Sequence, residues 1–460
     1  MRLLVITTEP VPLPGVAATG AGLRAWGLAR GLESRGLKAE IAFPEEVYSG
    51  PGGESLAPPP DGAYLFRRAA LTELVRRLNP EVLVVQHWGI MKDLGEVNCP
   101  IALDLAGPHL LERLFWGSHA HEDDLQEKLS ALRRADFVTC SGKFQRHYFL
   151  PYLARAGHRM DGPTDPLPVI PFSVPPDLPP EASGDSSHFI YCGFFLPWQD
   201  PSAALETLLE VFDATGMGTL DFFGGPHPLM DVSRGRFQAL LERLKAHPRV
   251  NMRGVLSFDL LMNAYRAGGV ALDLMARNPE RELAFTTRTL YYLRAGLPVI
   301  YNDYSELSAP IRERRAGWTF DPSDKTALRQ LLSDLVEGRV DIDPFRQAAR
   351  RLVQEKYTWD TTISPLADFC SAPRQRDDKN RSALTVETQS LELEKMRREI
   401  SALKSQWTTL QGKRSFRLYR RLMRSSTWFA PLAFLILLPV SLFLYCWFRF
   451  SDAMSKSQRS

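Results

Sequence analysis

Residues 285–303 read FTTRTLYYLRAGLPVIYND. Arg288 stands behind two threonines, at or near the first turn of a helical pattern. Leu290 and Leu293 mark an inward face, with Arg288, Tyr291 and Tyr292 spread around the rest. Gly296 supplies the helix stop, Pro298 forbids continuation, and the chain runs directly into the strand PVIYN. In a doubly wound sheet such helix starts line the crevice beyond the strand ends, where ligands bind. Arg288 and the local N–H groups then suit an anion, a diphosphate above all, because a planar guanidinium matches phosphate oxygens. A surface arginine beside an ordinary cap reads the same way.

Working outward, residues 1–160 alternate strand-like and helical runs. LLVITT, AEIAF, EVLVVQHW, PIALDL and ADFVTCS are apolar and separated by helical material. Such alternation predicts a parallel sheet covered on both faces. Residues 161–187 carry eight prolines between Pro163 and Pro180, which exclude a helix interior or a central strand and predict a linker. From residue 188 the pattern restarts with HFIYCGFF, a helix and TLDFFGG, giving a second αβ domain over 188–372 whose last helix can return to the first domain. The expected fold class is α/β, with two Rossmann-like domains and a cleft between them.

The 460 residues are 44% hydrophobic and 24% charged, enough for two or three domains with real cores. A net charge of +3 gives no argument for nucleic acid as a partner. The five cysteines lie far apart with no CxxC pair, which favours a reducing compartment and speaks against a zinc site. The apolar run in MRLLVITTEP is too short for a signal peptide.

Residues 373–425 read as a charged linker, a coiled coil and a basic segment. Leu393, Met396, Ile400, Leu403, Trp407 and Leu410 follow heptad spacing, which predicts a coiled coil able to pair two chains. The stretch 428–448 holds 21 residues without a charge, inside a predicted transmembrane helix over 426–448, with a short tail at 449–460. Pro431 and Pro439 leave a hairpin as the alternative. Six basic residues from Lys413 to Arg424 precede it and three follow, which places the large N-terminal part on the cytoplasmic side of the inner membrane.

Two further loops carry candidate chemistry. Gly15, Gly20 and Gly22 lie between the first strand and its helix, where small residues let a backbone approach an anion or simply close a turn. In GFFLPWQDPSAALETLL, Asp200-Pro201-Ser202 opens a helix, and Trp198 either stacks on a planar ring or packs beneath the loop.

Over residues 1–370 the chain resembles the GT-B glycosyltransferases, in particular the glycosyl transferases group 1 set (family 4). VIPFSV at 169–174 is similar to the interdomain signature VIPNGV. The passage 247–274, TTRTLYYLRAGLPVIYND and AGWTFDPSD match further family segments in order. The resemblance implies transfer of a sugar from a nucleotide-sugar donor to a hydroxyl acceptor. It implies no cofactor or metal, and retention of configuration. Arg288 takes the family's basic position. Gly20, Gly22, Gly193, Trp198, Arg281, Thr287 and Tyr291 become donor-side residues.

Departures stand beside the match. Tyr291 replaces the second acid of the family's pair, and Glu280 or Glu282 serves as the first, with Glu282 placed in the catalytic set. The basic pair after the second domain's first strand is missing, so diphosphate neutralisation falls to Arg288, with Arg281 or Lys143. On the acceptor side Asp104 and His109 join Arg288 and Glu282 as catalytic candidates, with Glu112 and His87 nearby. The leading expectation is a membrane-held enzyme that glycosylates a glycan or lipid-linked saccharide for surface polysaccharide. Protein O-glycosylation and a degenerate GT-B scaffold are the alternatives.

Overall fold

The computed structural model describes residues 1–116, 121–226, 233–376 and 400–401. The heptad run, apart from Ile400, and the apolar stretch 428–448 lie outside the described residues. Among the described residues no helix is long and apolar enough to cross a membrane.

Alternating apolar runs form the first sheet: β1 Arg2–Ile6, β2 Lys38–Pro44, β3 Ala63–Phe66, β4 Val82–Gln86, β5 Ile101–Leu105 and β6 Phe137–Cys140. All neighbours are parallel, in the order β3-β2-β1-β4-β5-β6. Every residue of β4 and β5 is buried, because helices cover both faces of the sheet.

The second sheet repeats the plan with β7 His188–Phe195, β8 Thr219–Pro226, β9 Val250–Gly254, β10 Val270–Asp273, β11 Val299–Asn302 and β12 Gly317–Phe320. Its order, β12-β11-β10-β7-β8-β9, is the same arrangement read from the other edge. In each sheet the strand order reverses once, between β1 and β4 and between β7 and β10. That reversal opens a crevice at the carboxyl ends of the strands.

The stretch 285–303 becomes the helix Thr287–Ala295, a left-handed cap at Gly296 (φ 83°) and β11. One expectation changes. Tyr291 and Tyr292 are buried as deeply as the leucines, because the Phe258–Tyr265 and Asp343–Lys356 helices pack around this helix. Tyr292 donates its hydroxyl to the Cys192 carbonyl (3.4 Å) and accepts from the Cys192 N–H (2.7 Å).

The proline-rich segment crosses between the lobes beside a second crossing. Val174 N–H donates to Tyr357 O (2.9 Å), and Trp359 N–H donates to Val174 O (3.1 Å). Residues between the prolines supply the donors that proline lacks, while Pro168 and Pro171 contribute carbonyls to Cys140 N–H and to Arg24. The Ser364–Ser371 helix packs on the first lobe, with Ile363, Leu366 and Cys370 in its core.

Candidate functional site

A cleft of about 410 Å³ opens between the lobes, where the two crevices face each other. Two helix starts meet there. From the first lobe comes the Gly20–Ser34 helix, capped by Thr19, whose Oγ1 accepts from Gly22 N–H (3.1 Å). From the second comes the Thr287–Ala295 helix, whose cap residue Thr286 offers no side-chain bond to the first-turn N–H groups. A Cβ added at Gly20 would sit 3.5 Å from Thr287 Oγ1, so the two starts nearly touch.

Arg288 lines this cleft and is held on three sides. Its Nε lies 3.1 Å from Asp273 Oδ1 at the end of β10. Its two terminal nitrogens donate to Cys192 O (2.9 Å) and to Gln199 Oε1 (2.5 Å). Asp273 also accepts from the Thr289 hydroxyl. Burial opposes the charge on Arg288, but the Asp273 carboxylate outweighs it and raises the guanidinium above its ordinary value. Each terminal nitrogen donates one of its two N–H groups, and Nε faces Asp273 as an ion pair, so one N–H on each terminal nitrogen is left for a ligand.

Gly193 explains how so large a group fits. A Cβ there would fall well inside contact distance of Arg288 Nη1. Gly193→Ala is therefore expected to push the guanidinium from its seat, at an overpacking cost of about 1–3 kcal/mol. Isothermal titration with a nucleoside diphosphate and a melting curve check both effects; unchanged affinity would remove Gly193 from the argument.

Arg281 and Glu280 line the same half as a buried, hydrogen-bonded pair. Glu282 does not join them. It stands at the surface on Arg277 (2.7 Å), because the short Pro279–Leu283 helix turns residues 280 and 282 to different sides. Of the two, Glu280 is thus the carboxylate that lines this half of the cleft. Lys143 is exposed, and its backbone N–H donates to Glu306 Oε1 of the other lobe (2.8 Å).

Other expected residues sit outside the cleft lining. Asp104 is closed off: it makes a fully buried pair with Arg24 (2.8 Å) and accepts from Thr139 Oγ1 (2.7 Å). Trp198 is buried and packs near Phe115, with ring centroids 6.4 Å apart. At Gly22 an added Cβ would collide with the Pro10 carbonyl, so that glycine serves packing of the first loop. His109 lies 3.4 Å from Glu112 and meets the His87 ring edge-on at 5.0 Å. His87 itself has φ 77° at the end of β4, and burial first of all lowers its imidazole to about 3, so it is neutral. Thr287 and Tyr291 line the cleft, as do Gly20 and Gly193.

The first lobe adds Glu9, which the sequence reading passed over. It is half-buried, lines the cleft and accepts from Thr19 Oγ1 (3.1 Å). Only its place just after β1 hinted at a role.

Solved structures resemble this architecture over nearly their whole length. Sucrose-phosphate synthase from Thermosynechococcus elongatus superposes with a TM-score of 0.60 at 14% identity, covering 80% of this chain and 98% of that one. The fold is that of the GT-B glycosyltransferases. Trehalose-6-phosphate synthase OtsA gives 0.59 at 11% identity over 82% and 100% of the two chains. Anabaena HepE in complex with UDP gives 0.54 at 12% identity over 81% and 100%. Neither a family model nor a curated protein sequence matches the chain.

Proposed function

We propose that this protein transfers a sugar from a nucleotide-sugar donor to an acceptor hydroxyl. The observation that carries the reading is Arg288. It is a half-buried, anchored guanidinium beside an uncapped helix start, inside a cleft between two Rossmann-like lobes. Diphosphate oxygens suit both the remaining N–H groups and the helix dipole. The bond from the anomeric carbon to the diphosphate breaks, and that carbon bonds to the acceptor oxygen. The acceptor proton leaves with the nucleoside diphosphate. Arg288 and Arg281 stabilise the charge that builds on the leaving group.

In this reading Tyr291 fills the place of an acid, so Glu280 is the only carboxylate of the second lobe in the described lining. The acceptor is a lipid-linked saccharide. A spanning segment at 428–448 would hold the catalytic lobes at the cytoplasmic face, and the heptad run would pair chains. Transfer proceeds with retention and without a metal.

Purified protein incubated with uridine, adenosine and guanosine diphosphate sugars is expected to release nucleoside diphosphate with at least one of them, faster when lipid extract is added. HepE, which shares this fold, was solved in complex with UDP, so uridine donors come first. Absence of nucleotide binding across the panel would instead support a scaffold.

A further inference from the structure

The cleft is divided by charge. Its second-lobe wall carries two guanidinium groups, Arg288 and Arg281, against one carboxylate, Glu280, which is paired with Arg281. Its first-lobe wall carries two carboxylates, Glu9 and Glu112, and among the described residues no lysine or arginine of that lobe lines it. First-lobe cations in this region are engaged elsewhere: Arg68 on Glu46 (3.3 Å) and Asp93 (3.4 Å), Arg113 on Asp124 (3.1 Å).

Glu9 also occupies a position that would otherwise favour an anion. The Gly20–Ser34 helix presents its positive end to the cleft, and such an end attracts phosphate. Glu9 already stands there, joined to the cap residue through Thr19 Oγ1 at 3.1 Å. Burial raises the Glu9 carboxyl above its ordinary range; the Thr19 hydrogen bond and the charge of Arg68 act against that rise, and the nearby Glu112 charge adds to it. Two carboxylates sharing one wall repel any further negative charge. Each still has lone pairs to accept hydrogen bonds, and sugar hydroxyls are donors of the right kind. Gln145 adds an amide to the same wall.

We propose that the acceptor is an uncharged polyhydroxylated sugar, bound through hydroxyls that donate to Glu9 and Glu112, and that acceptors bearing a phosphate or carboxylate on the reacting ring are refused. This rests on the reading of the cleft as a glycosyl-transfer site. It also constrains that reading. In a lipid-linked acceptor the phosphate lies outside the cleft, so the receiving sugar is separated from the lipid phosphate by at least one uncharged residue. The enzyme thus extends a glycan that a different transferase has begun on the lipid phosphate.

The test uses the full chain in detergent with saturated uridine diphosphate, and measures binding of octyl glycosides by saturation-transfer NMR. Glucose, galactose, mannose and N-acetylglucosamine glycosides are compared with their 6-phosphate and uronic acid counterparts. At least one neutral glycoside is expected to bind tenfold or more tightly than its anionic counterparts. Glu9→Gln and Glu112→Gln are each expected to shrink that ratio at least threefold while uridine diphosphate affinity stays within twofold. Both are isosteric, and a melting curve reports whether each folds. Equal binding of neutral and anionic glycosides overturns the inference, as does an unchanged ratio in two folded variants, or binding of none of the glycosides. Failure of uridine, adenosine and guanosine diphosphates to bind is a different result, which strikes the glycosyl-transfer reading itself.

Discussion

Replacing Arg288 with alanine is expected to weaken binding of a nucleoside diphosphate about 10- to 150-fold, the ~1.5–3 kcal/mol of a charge-assisted hydrogen bond. The same change is expected to destabilise the second lobe. Asp273 is 1% exposed, and without the guanidinium it keeps only the Thr289 hydroxyl. Leaving one partner of a buried ion pair costs about 3–5 kcal/mol. For a lobe of this size that lowers the melting temperature by about 10 °C. A loss of activity in Arg288→Ala alone would therefore have two explanations.

A second variant separates them. Arg288→Met combined with Asp273→Asn removes both charges and preserves the acceptor for Thr289. Its melting temperature is expected to return most of the way to that of the parent protein, while nucleotide affinity stays low. Arg288→Lys keeps the charge but loses the fork that spans Asp273, Cys192 O and Gln199. It should fall between the parent and alanine in affinity. Titration calorimetry of all three variants decides the matter. Parental affinity in the double variant would mean that the guanidinium is a structural strut that no ligand touches.

These expectations also show what sequence can and cannot carry. The parallel sheets were legible because β4 and β5 are buried on both faces, and such strands must be continuously apolar. β3 is four residues at an edge, and β9 reads VNMRG with no residue buried. Neither sends a periodic signal. The turn at Gly296 was legible because only a left-handed residue followed by a proline ends a helix that way. The site was harder, since its decisive contacts join distant residues. Asp104 looked like an open strand-end acid because its partner Arg24 lies 80 positions earlier. Gly193 could be marked as a glycine of interest, but its reason, Arg288, lies 95 positions on. Glu280 and Glu282 are two residues apart on a five-residue helix, and no pattern that short says which faces the cleft.

Lys128→Met is expected to stabilise the protein by about 3 kcal/mol at pH 6, an unusual outcome for a core substitution. Lys128 has no exposed surface, and its Nζ has no hydrogen-bond acceptor. It faces the rings of Tyr148 (4.9 Å), Phe149 (4.5 Å) and Tyr152 (3.9 Å) instead. Asp124, one turn earlier, is already taken by Arg113. Burial lowers the amine to about 7 from an ordinary 10.5. Below that folded value both folded and unfolded chains carry the proton, and the folded chain bears the whole penalty, about 5 kcal/mol. Methionine recovers most of this penalty and gives back up to about 1.5 kcal/mol because it does not fill the site as well as the lysine stem. Between about 7 and 10.5 the unfolded chain binds more protons, so parental stability rises with pH; above that window the penalty is gone. Methionine, close in length and apt to pack against rings, has no such dependence. Urea unfolding of both proteins at pH 6, 8 and 9 should give curves that converge as pH rises. Parallel curves would mean that Lys128 keeps its charge throughout, held by the rings alone. In that case the ammonium would be a permanent cation beside His87, whose depressed imidazole already registers Lys128 after burial and His109.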